Sequence, residues 1–348
     1  MTIAIEPNAR ILVINVARIG DTLMTTPVLR AIKAAYPDAR VGCLAHPKRA
    51  AVLQGLPWVD RLGVITPKRA RWRGWLSAKF WDYAIVYGRD APLIRYALRV
   101  ARRVIAFEQG DATLDGRLWR AVPMPRQRLL SHVVHEHLLL PAALGIETDD
   151  HRLAYFCSDA ETDEAKAWLE AKAPGATRLV GFQVASFPTK SYRDWPLENF
   201  AGLGRRVLDH FPGSWLVVLG GAESVSRARW LRQQLGRHVV VAAGRMSLRQ
   251  SAALMQRLDL YVGVDTGPTH LAGALGIPMV ALYHCFHRSQ RFAPAAHPRL
   301  RAIDHPASDA QCSRESDMAD ITVDRVWECV QELLGADAAA SRASAPSG

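Results

Sequence analysis

Short apolar runs rich in valine and isoleucine alternate along this chain with polar segments of helical length. Nearly continuous apolar strands of this kind, separated by amphipathic helices, are typical of parallel sheets that are covered on both faces. The pattern therefore predicts the α/β class, with two doubly wound parallel sheets. The nine predicted strands comprise residues 11–16, 41–45, 83–87, 103–107, 179–184, 215–219, 239–242, 260–264 and 279–283.

A capping box marks the start of a second domain. Ser158 is followed three residues later by Glu161, which predicts a helix start, and the sequence KAPGAT at 172–177 ends that helix before the second group of strands. We therefore predict Rossmann-like domains at residues 1–157 and 158–335. The two domains are expected to face each other across a central cleft at the carboxyl ends of both sheets.

The C-terminal end of the chain contains one more predicted helix. Thr322 is the predicted N-cap of this helix, which covers residues 323–334 and packs either within the second domain or back on the first. After Gly335, the small and polar composition of residues 336–348 predicts a disordered tail.

Hydropathy and cysteine usage indicate a cytoplasmic protein. The chain has no run that approaches the roughly 18 apolar residues of a membrane-spanning helix, and its start lacks the apolar core of a signal peptide. The five cysteines are scattered without a C-x-x-C pair. This spacing predicts reduced, mostly buried thiols rather than a disulfide framework or a metal site.

Positive charge is concentrated in the first half. The net charge is +11, and residues 1–155 contain 23 Lys and Arg against 13 Asp and Glu, a net +10. Arginine interleaves with Trp or Tyr at 68–75, 95–103 and 117–128. Such a field favours an anionic partner (a nucleic acid, an anionic membrane surface or a phosphorylated acceptor), and the alternative is a solvated basic face. Nucleic acid is not expected, because the sequence has no helix-turn-helix, zinc or aromatic RNA-binding signature.

A strand-to-helix turn near residue 265 carries the strongest chemical signal. In the sequence VGVDTGPTHLAGALG, a strand ends at Val264, and Gly267 opens a helix. The first amides of such a helix have no partner within it and lie at its positive end, so they bind phosphate well. The alternative is that Asp265 and Thr266 only cap the helix.

The first strand leads into a similar turn. Gly20 is expected to let the backbone turn sharply, which places Asp21 at the mouth of the cleft, just before a helix. A carboxylate at such a position can accept a proton from a substrate hydroxyl. The alternative is that Asp21 is a plain helix N-cap.

Taken together, these two turns resemble glycosyltransferase family 9, the ADP-heptose:lipopolysaccharide heptosyltransferases. The resemblance rests on GDTLMTTPVLRAIKAAYPDA near the start and VGVDTGPTHLAGALGIPMVALY near the end, about 240 residues apart. It covers most of the chain, with further matches at residues 46–65, 135–147, 195–201, 219–231 and 318–330.

The resemblance implies a two-domain GT-B fold and a metal-independent transfer of heptose from ADP-heptose, with inversion at the anomeric carbon. The implied acceptor is the inner core of lipopolysaccharide at the inner face of the cytoplasmic membrane, so peripheral membrane association is expected. Asp21 matches the catalytic base, with Gly20 and Thr22 beside it on the acceptor side. The donor-side matches are Asp265 at the sugar hydroxyls, Thr266 and Gly267 at the diphosphate, His270 one turn further, Glu223 near the ribose and Met246 at the adenine.

One departure from the family pattern concerns the cation near the diphosphate. The family usually has a lysine two positions before the Trp195-Pro196 pair, where this chain has Arg193. We assign the diphosphate role first to Arg193 and second to Lys190, because either cation can offset charge on the departing group. Thr189 matches a phosphate-side threonine of the family, whereas Pro188 stands where a second hydroxyl is common.

The predicted function is therefore inverting heptosyl transfer with no cofactor and no metal, consistent with the lack of an Asp-x-Asp motif. Three alternatives remain at this stage. The first is a transferase that uses another nucleotide-sugar for a different surface glycan. The second is a nucleotide-sugar 2-epimerase that acts on the donor alone. The third alternative is a non-catalytic binder.

Overall fold

The computed structural model describes residues 5–75, 78–125 and 131–343, with side chains described as far as Gly335. The chain divides into two compact units, Met1–Phe156 and Cys157–Gly348, within one residue of the boundary expected from the sequence. Each unit contains one six-stranded sheet, and every strand pair in both sheets is parallel. The predicted α/β class with two doubly wound sheets is confirmed.

The sheet of the first unit has the order β3-β2-β1-β4-β5-β6. Its strands are β1 (Arg10–Asn15), β2 (Arg40–Ala45), β3 (Arg61–Val64), β4 (Trp81–Val86), β5 (Ala101–Phe107) and β6 (Arg120–Val122). The helices are α1 (Ile19–Leu23), α2 (Thr26–Ala35), α3 (Pro67–Ala70), α4 (Ala91–Val100), α5 (Ala112–Asp115) and α6 (Val133–Ala142).

The core of this unit follows from the alternation of its strands. Leu12 and Ile14 of β1 pack with Ile94 and Ala97 of α4 on one face of the sheet. Because β1 lies in the middle of the sheet, its inner residues are buried on both faces. The strand order reverses direction between β1 and β4, which is where open α/β sheets bind ligands.

The sheet of the second unit has the order β12-β11-β10-β7-β8-β9. Its strands are β7 (Arg178–Gln183), β8 (Ser214–Leu219), β9 (Val239–Val241), β10 (Leu260–Val264), β11 (Met279–Tyr283) and β12 (Leu300–Asp304). The helices are α7 (Asp159–Lys172), α8 (Leu197–His210), α9 (Val225–Leu235), α10 (Leu248–Met255), α11 (Gly267–Ala274), α12 (Ser289–Phe292) and α13 (Val323–Ala343). The Ser158 capping box that starts α7 is present as predicted.

Three strands escaped sequence prediction. All nine predicted strands are present, but β3, β6 and β12 are additional, and each lies at the edge of a sheet. An edge strand has a neighbour on one side only, so it needs no continuous apolar run. Accordingly, β3 and β6 are short and only partly buried.

The last helix packs in the second unit and is longer than expected. Its residues Val326, Val330 and Leu334 belong to the core of the second unit, which is one of the two predicted arrangements. The helix also continues to Ala343, whereas disorder was predicted from residue 336. The alanine-rich sequence after Gly335 favours helix strongly enough to extend it. Residues 344–348 of the predicted tail and residues 126–128 of a predicted basic segment lie outside the described residues.

In the part of the chain that the structure describes, no helix combines the length and the apolar character needed to span a bilayer.

Trp195 joins two distant parts of the second unit. Its side chain is fully buried, and its indole Nε1 donates a hydrogen bond of 2.7 Å to the carbonyl oxygen of Ile321, 126 residues away. This bond fixes the segment after β7 against the segment before α13. The same segment after β7 carries three of the predicted donor-side residues.

We expect Trp195→Phe to lower the free energy of unfolding by about 1–3 kcal/mol, because the Ile321 carbonyl would be left buried without its donor. Urea denaturation followed by far-UV circular dichroism measures this change. Trp215→Phe, at a half-buried position in β8, is the matched control and should cost less. Equal losses for the two variants would contradict the role assigned to the indole hydrogen bond.

Candidate functional site

The predicted donor-side residues follow the carboxyl ends of four adjacent strands of the second sheet. Parallel strands bring their carboxyl ends to the same edge, and the strand order reverses between β7 and β10. The carboxyl end of this sheet is therefore the place at which an open α/β sheet binds its ligand. Thr189, Lys190 and Arg193 follow β7, Glu223 follows β8, Met246 follows β9, and Asp265, Thr266, Gly267 and His270 follow β10.

The start of α11 is open to an anion. Thr266 occupies the N-cap position in an extended conformation, but its side chain caps no amide and instead donates to the carbonyl oxygen of Val264 at 3.2 Å. By contrast, α10 is closed by a capping box between Ser247 and Gln250. Pro268 has no amide hydrogen, and the amide of Thr269 donates to the carbonyl oxygen of Thr266 at 3.1 Å, so the amides left for a ligand are those of Thr266 and Gly267. The alternative that Thr266 acts only as a cap is wrong.

Asp265 is buried and held from two sides. Its side chain is about 5% exposed, Arg193 Nη1 lies 2.7 Å from its Oδ2, and His270 Nε2 lies 3.5 Å from its Oδ1. Burial alone would raise the pKa of Asp265, but its interactions with His270 and Arg193 outweigh burial and lower the pKa. The carboxylate is therefore ionised and bound within the site rather than capping α11.

Arg193 is held in turn by a histidine that the sequence analysis missed. Its Nη2 lies 2.8 Å from His287 Nε2, which is also 2.9 Å from the hydroxyl of Tyr192. Because a guanidinium only donates, Nε2 must accept, so the ring is neutral. Burial and the charge of Arg193 lower the pKa of His287 to about 4, in agreement with this geometry. The available signal was position, since His287 follows β11, the strand next to β10.

Lys190 is less tightly bound by its surroundings than Arg193, the other candidate cation. Arg193 is bound to Asp265 and His287, whereas Lys190 forms no ion pair with any described carboxylate and is half-buried. Its ammonium lies 6.0 Å from the centroid of the Tyr192 ring. Thr189 beside it is exposed. Lys190 is therefore available to bind a ligand anion, whereas Arg193 is already bound by Asp265 and His287.

Glu223 and Met246 lie further along the carboxyl end of the same sheet. Glu223 is exposed, and its Oε1 accepts a hydrogen bond of 3.1 Å from the amide of Gly221, while Met246 is half-buried. Since β8 and β9 are the second and third strands from β10, and strands lie about 4.8 Å apart, the two residues are displaced by about 10 and 14 Å across the sheet. A nucleoside diphosphate spans such a distance.

Two cysteines correct the prediction of reduced thiols. Cys285, just after β11, forms a disulfide with Cys312, because the segment after β12 folds back beside the end of β11. Cys43, Cys157 and Cys329 are free thiols, as expected. Among the described residues, His284, Cys285 and Cys312 form the group with metal-ligand spacing. Its sulfur atoms are bonded to each other and are not thiolate ligands.

In the first unit, Asp21 is not a helix cap. Arg18 occupies the N-cap position of α1, and Asp21 lies in the first turn, half-buried. Its backbone oxygen accepts from Asn15 Nδ2 at 3.2 Å and from Thr25 Oγ1 at 3.0 Å. Its carboxylate forms no hydrogen bond or ion pair with the described residues. The carboxylate is thus held in place through its backbone and is available for chemistry at the β1/β4 reversal.

Gly20 and Thr22, on either side of Asp21, contribute to the local backbone structure. Thr22 is buried, and its hydroxyl donates to the carbonyl oxygen of Arg18 at 2.8 Å, so this hydroxyl is engaged within the helix. Gly20 lies in α1 with a negative φ, which corrects the expectation that it makes the sharp turn. The chain is instead extended at Arg18, directly before α1.

Acid should destabilise the fold through His287. The folded state resists protonation of this ring down to its pKa of about 4, whereas an unfolded chain takes up the proton near its ordinary pKa of about 6.5. The stabilisation is therefore complete above about pH 6.5 and is lost as pH falls towards 4. We expect His287→Gln to lose less stability than the wild type between pH 7 and 5, as measured by urea midpoints. An unchanged pH dependence would contradict the neutral acceptor, and His210→Gln at an exposed position is the control.

Comparison with known proteins identifies the family and the fold. The model of glycosyltransferase family 9 (heptosyltransferase) matches residues 102–321. Lipopolysaccharide heptosyltransferase 3 of Escherichia coli is 23% identical over 77% of this chain and 83% of its own length. The fold is similar to a glycosyl transferase family 9 protein from Veillonella parvula, with a TM-score of 0.82 at 20% identity over 96% of this chain and 99% of that one.

The fold is also similar to E. coli ADP-heptose lps heptosyltransferase II, with a TM-score of 0.78 at 21% identity over 94% of this chain and 99% of that one. The family model covers well over half of the chain, and the two doubly wound units correspond to those of the heptosyltransferase GT-B structures. The chain belongs to glycosyltransferase family 9, the heptosyltransferases, and is a glycosyltransferase.

Proposed function

We propose that this glycosyltransferase moves a heptose from ADP-heptose onto the inner core of lipopolysaccharide, with inversion and without a metal. The observation that carries the proposal is the open start of α11 beside the Arg193–Asp265 ion pair. It combines an anion-binding end with an ionised carboxylate that can accept hydrogen bonds from sugar hydroxyls.

The donor step follows from the movement of charge. As the bond between the anomeric carbon and the diphosphate breaks, negative charge grows on the phosphate oxygens, and donors fixed beforehand stabilise it most. The amides of Thr266 and Gly267 at the start of α11 supply fixed donors, and the ammonium of Lys190 supplies a mobile positive charge. Arg193 holds Asp265 in place and adds its own charge to the same region.

The acceptor step requires a base on the first unit. Asp21 has a carboxylate without a described partner and a backbone fixed by Asn15 and Thr25. It accepts the proton of the acceptor hydroxyl as that oxygen attacks the anomeric carbon from the face opposite the diphosphate. The bond to the leaving oxygen breaks as the new glycosidic bond forms, which inverts the anomeric configuration.

ADP-heptose is supported as donor by a structural relative and by the placement of Glu223 and Met246 after β8 and β9. The name of E. coli heptosyltransferase II includes ADP-heptose, and its fold matches that of this chain. With the diphosphate at α11, the adenosine extends towards Glu223 and Met246 on the β8 and β9 side. The helix end and Lys190 perform the charge stabilisation that a divalent ion provides in other transferases.

The acceptor is supported by the charge of the first unit and by the relatives. Residues 1–155 carry a net +10, which attracts an acceptor with carboxylates and phosphates. The relatives include heptosyltransferases of lipopolysaccharide. A lipid-linked core sugar with acidic groups fits both observations.

The direct test is an incubation with ADP-heptose and Kdo-lipid A or heptosylated core, analysed by mass spectrometry. We expect the acceptor to gain the mass of one heptose in the presence of EDTA as well as with added Mg²⁺. A gain from a different nucleotide-sugar only would contradict the donor, and loss of activity in EDTA would contradict metal independence. Conversion of the donor without acceptor would indicate an epimerase.

Asp21→Asn should lower kcat by about 10²- to 10⁴-fold, because the general base is lost. The affinity for ADP, measured by calorimetry, should remain nearly unchanged, since the donor-side residues belong to the second unit. Asp38→Asn, at an exposed acid of the same unit, is the matched control and should retain full activity. Near-normal turnover of Asp21→Asn would show that the base lies elsewhere.

A further inference from the structure

The first unit displays two tryptophans that the transfer reaction does not use. Trp72 is 81% exposed and Trp75 is 69% exposed, the highest values among the large exposed apolar side chains that the structure describes. Both belong to the segment of residues 66–75, here called the tryptophan loop, which starts after the edge strand β3. Exposure of two neighbouring indoles to water is costly, so it points to a surface that covers them.

The tryptophan loop is firmly anchored to the unit beneath it. Arg99, at the end of α4, donates to the carbonyl oxygens of Ala70 and Arg73 and lies 4.8 Å from the ring centroid of Trp75. Arg73 donates to the carbonyl oxygen of Val64 at 3.0 Å, and Thr66 caps α3 by accepting from the amide of Arg69. The loop is therefore held with its tryptophans outward.

A glycine shapes the loop between the two tryptophans. Gly74 has φ +81°, a left-handed conformation that side chains disfavour, and a Cβ there would come within 2.9 Å of Val100. The backbone can therefore turn close against α4 only at a glycine. This turn places Trp75 against Arg99 and its indole Nε1 within 3.0 Å of the carbonyl oxygen of Arg71.

Positive charge surrounds the two tryptophans. The sequence contains no acid between Asp60 and Asp82. Over the same stretch, Lys68, Arg69, Arg71, Arg73 and Lys79 are all exposed. The combination of outward indoles with cations and no carboxylate matches the chemistry of a bilayer interface, where tryptophan sits at the headgroup level and cations meet anionic lipid.

We propose that the tryptophan loop docks the enzyme on the surface of an anionic lipid bilayer. The indoles insert among the headgroups while Lys68, Arg69 and Arg71 contact lipid phosphates. A bilayer fits better than a nucleic acid, because the indoles project from a short loop beside an edge strand rather than from a groove that tracks a phosphate backbone. Docking depends only on the first unit and stands whether or not the donor is ADP-heptose.

Vesicle flotation tests this docking with the full-length protein. We expect the wild type to float with vesicles of phosphatidylcholine and phosphatidylglycerol, but not with phosphatidylcholine alone. Binding should weaken as salt rises from low to physiological strength. Lys68→Glu/Arg71→Glu should lower the partition coefficient at least tenfold, since each cation near an anionic surface contributes about fivefold.

Trp72→Ala tests the apolar contribution at the less anchored tryptophan, and it should reduce partitioning about tenfold with an unchanged melting temperature. We also expect vesicles to shift the tryptophan emission of this variant to the blue by less than that of the wild type. Arg205→Glu/Arg237→Glu, at exposed arginines of the second unit, is the charge-matched control and should bind like the wild type.

Three results would overturn the docking proposal. The first is absence of wild-type binding to anionic vesicles, and the second is an equal loss in the control variant. The third is binding of duplex or single-stranded DNA at physiological salt that Lys68→Glu/Arg71→Glu abolishes while vesicle binding persists. None of these measurements uses a sugar donor, so they fail or succeed independently of the heptosyl-transfer assay.

Discussion

The ion pair between Arg193 and Asp265 is the contact on which the donor site depends. It joins the segment after β7 to the turn after β10, across the reversal of strand order. Both side chains are largely buried, so each charge needs the other to offset its lost hydration. The carboxylate of Asp265 is bound in this pair, and the side chain of Thr266 does not cap α11. The Gly267 amide at the start of the helix therefore remains open to a ligand phosphate.

Charge balance around this pair explains why its neighbours differ in character. His287 accepts a hydrogen bond from Arg193 and must be neutral to do so, and its lowered pKa keeps it neutral. A second cation in contact with the Arg193 guanidinium would be repelled by the guanidinium. Lys190 lies on the same segment without an ion pair among the described residues, which leaves one positive charge for the leaving group. Fixed and mobile cations thus have separate tasks.

Much of this arrangement could be predicted from the sequence, and the exceptions have physical reasons. Central strands such as β1 and β10 are apolar throughout because helices cover both faces, whereas the edge strands β3, β6 and β12 need no such pattern. The turn at Gly267 could be located because an anion-binding helix start has a local signature. His287 and the Cys285–Cys312 disulfide depend on contacts between segments that are distant in sequence, which local patterns do not encode.

The central claim is that the carboxyl edge of the second sheet binds the donor through the start of α11. A crystal structure of the protein with ADP tests this claim most directly. We expect the β-phosphate within hydrogen-bonding distance of the Gly267 amide and the adenine near Met246. ADP bound at any other edge or face of the molecule, with the start of α11 left to solvent, would contradict the account.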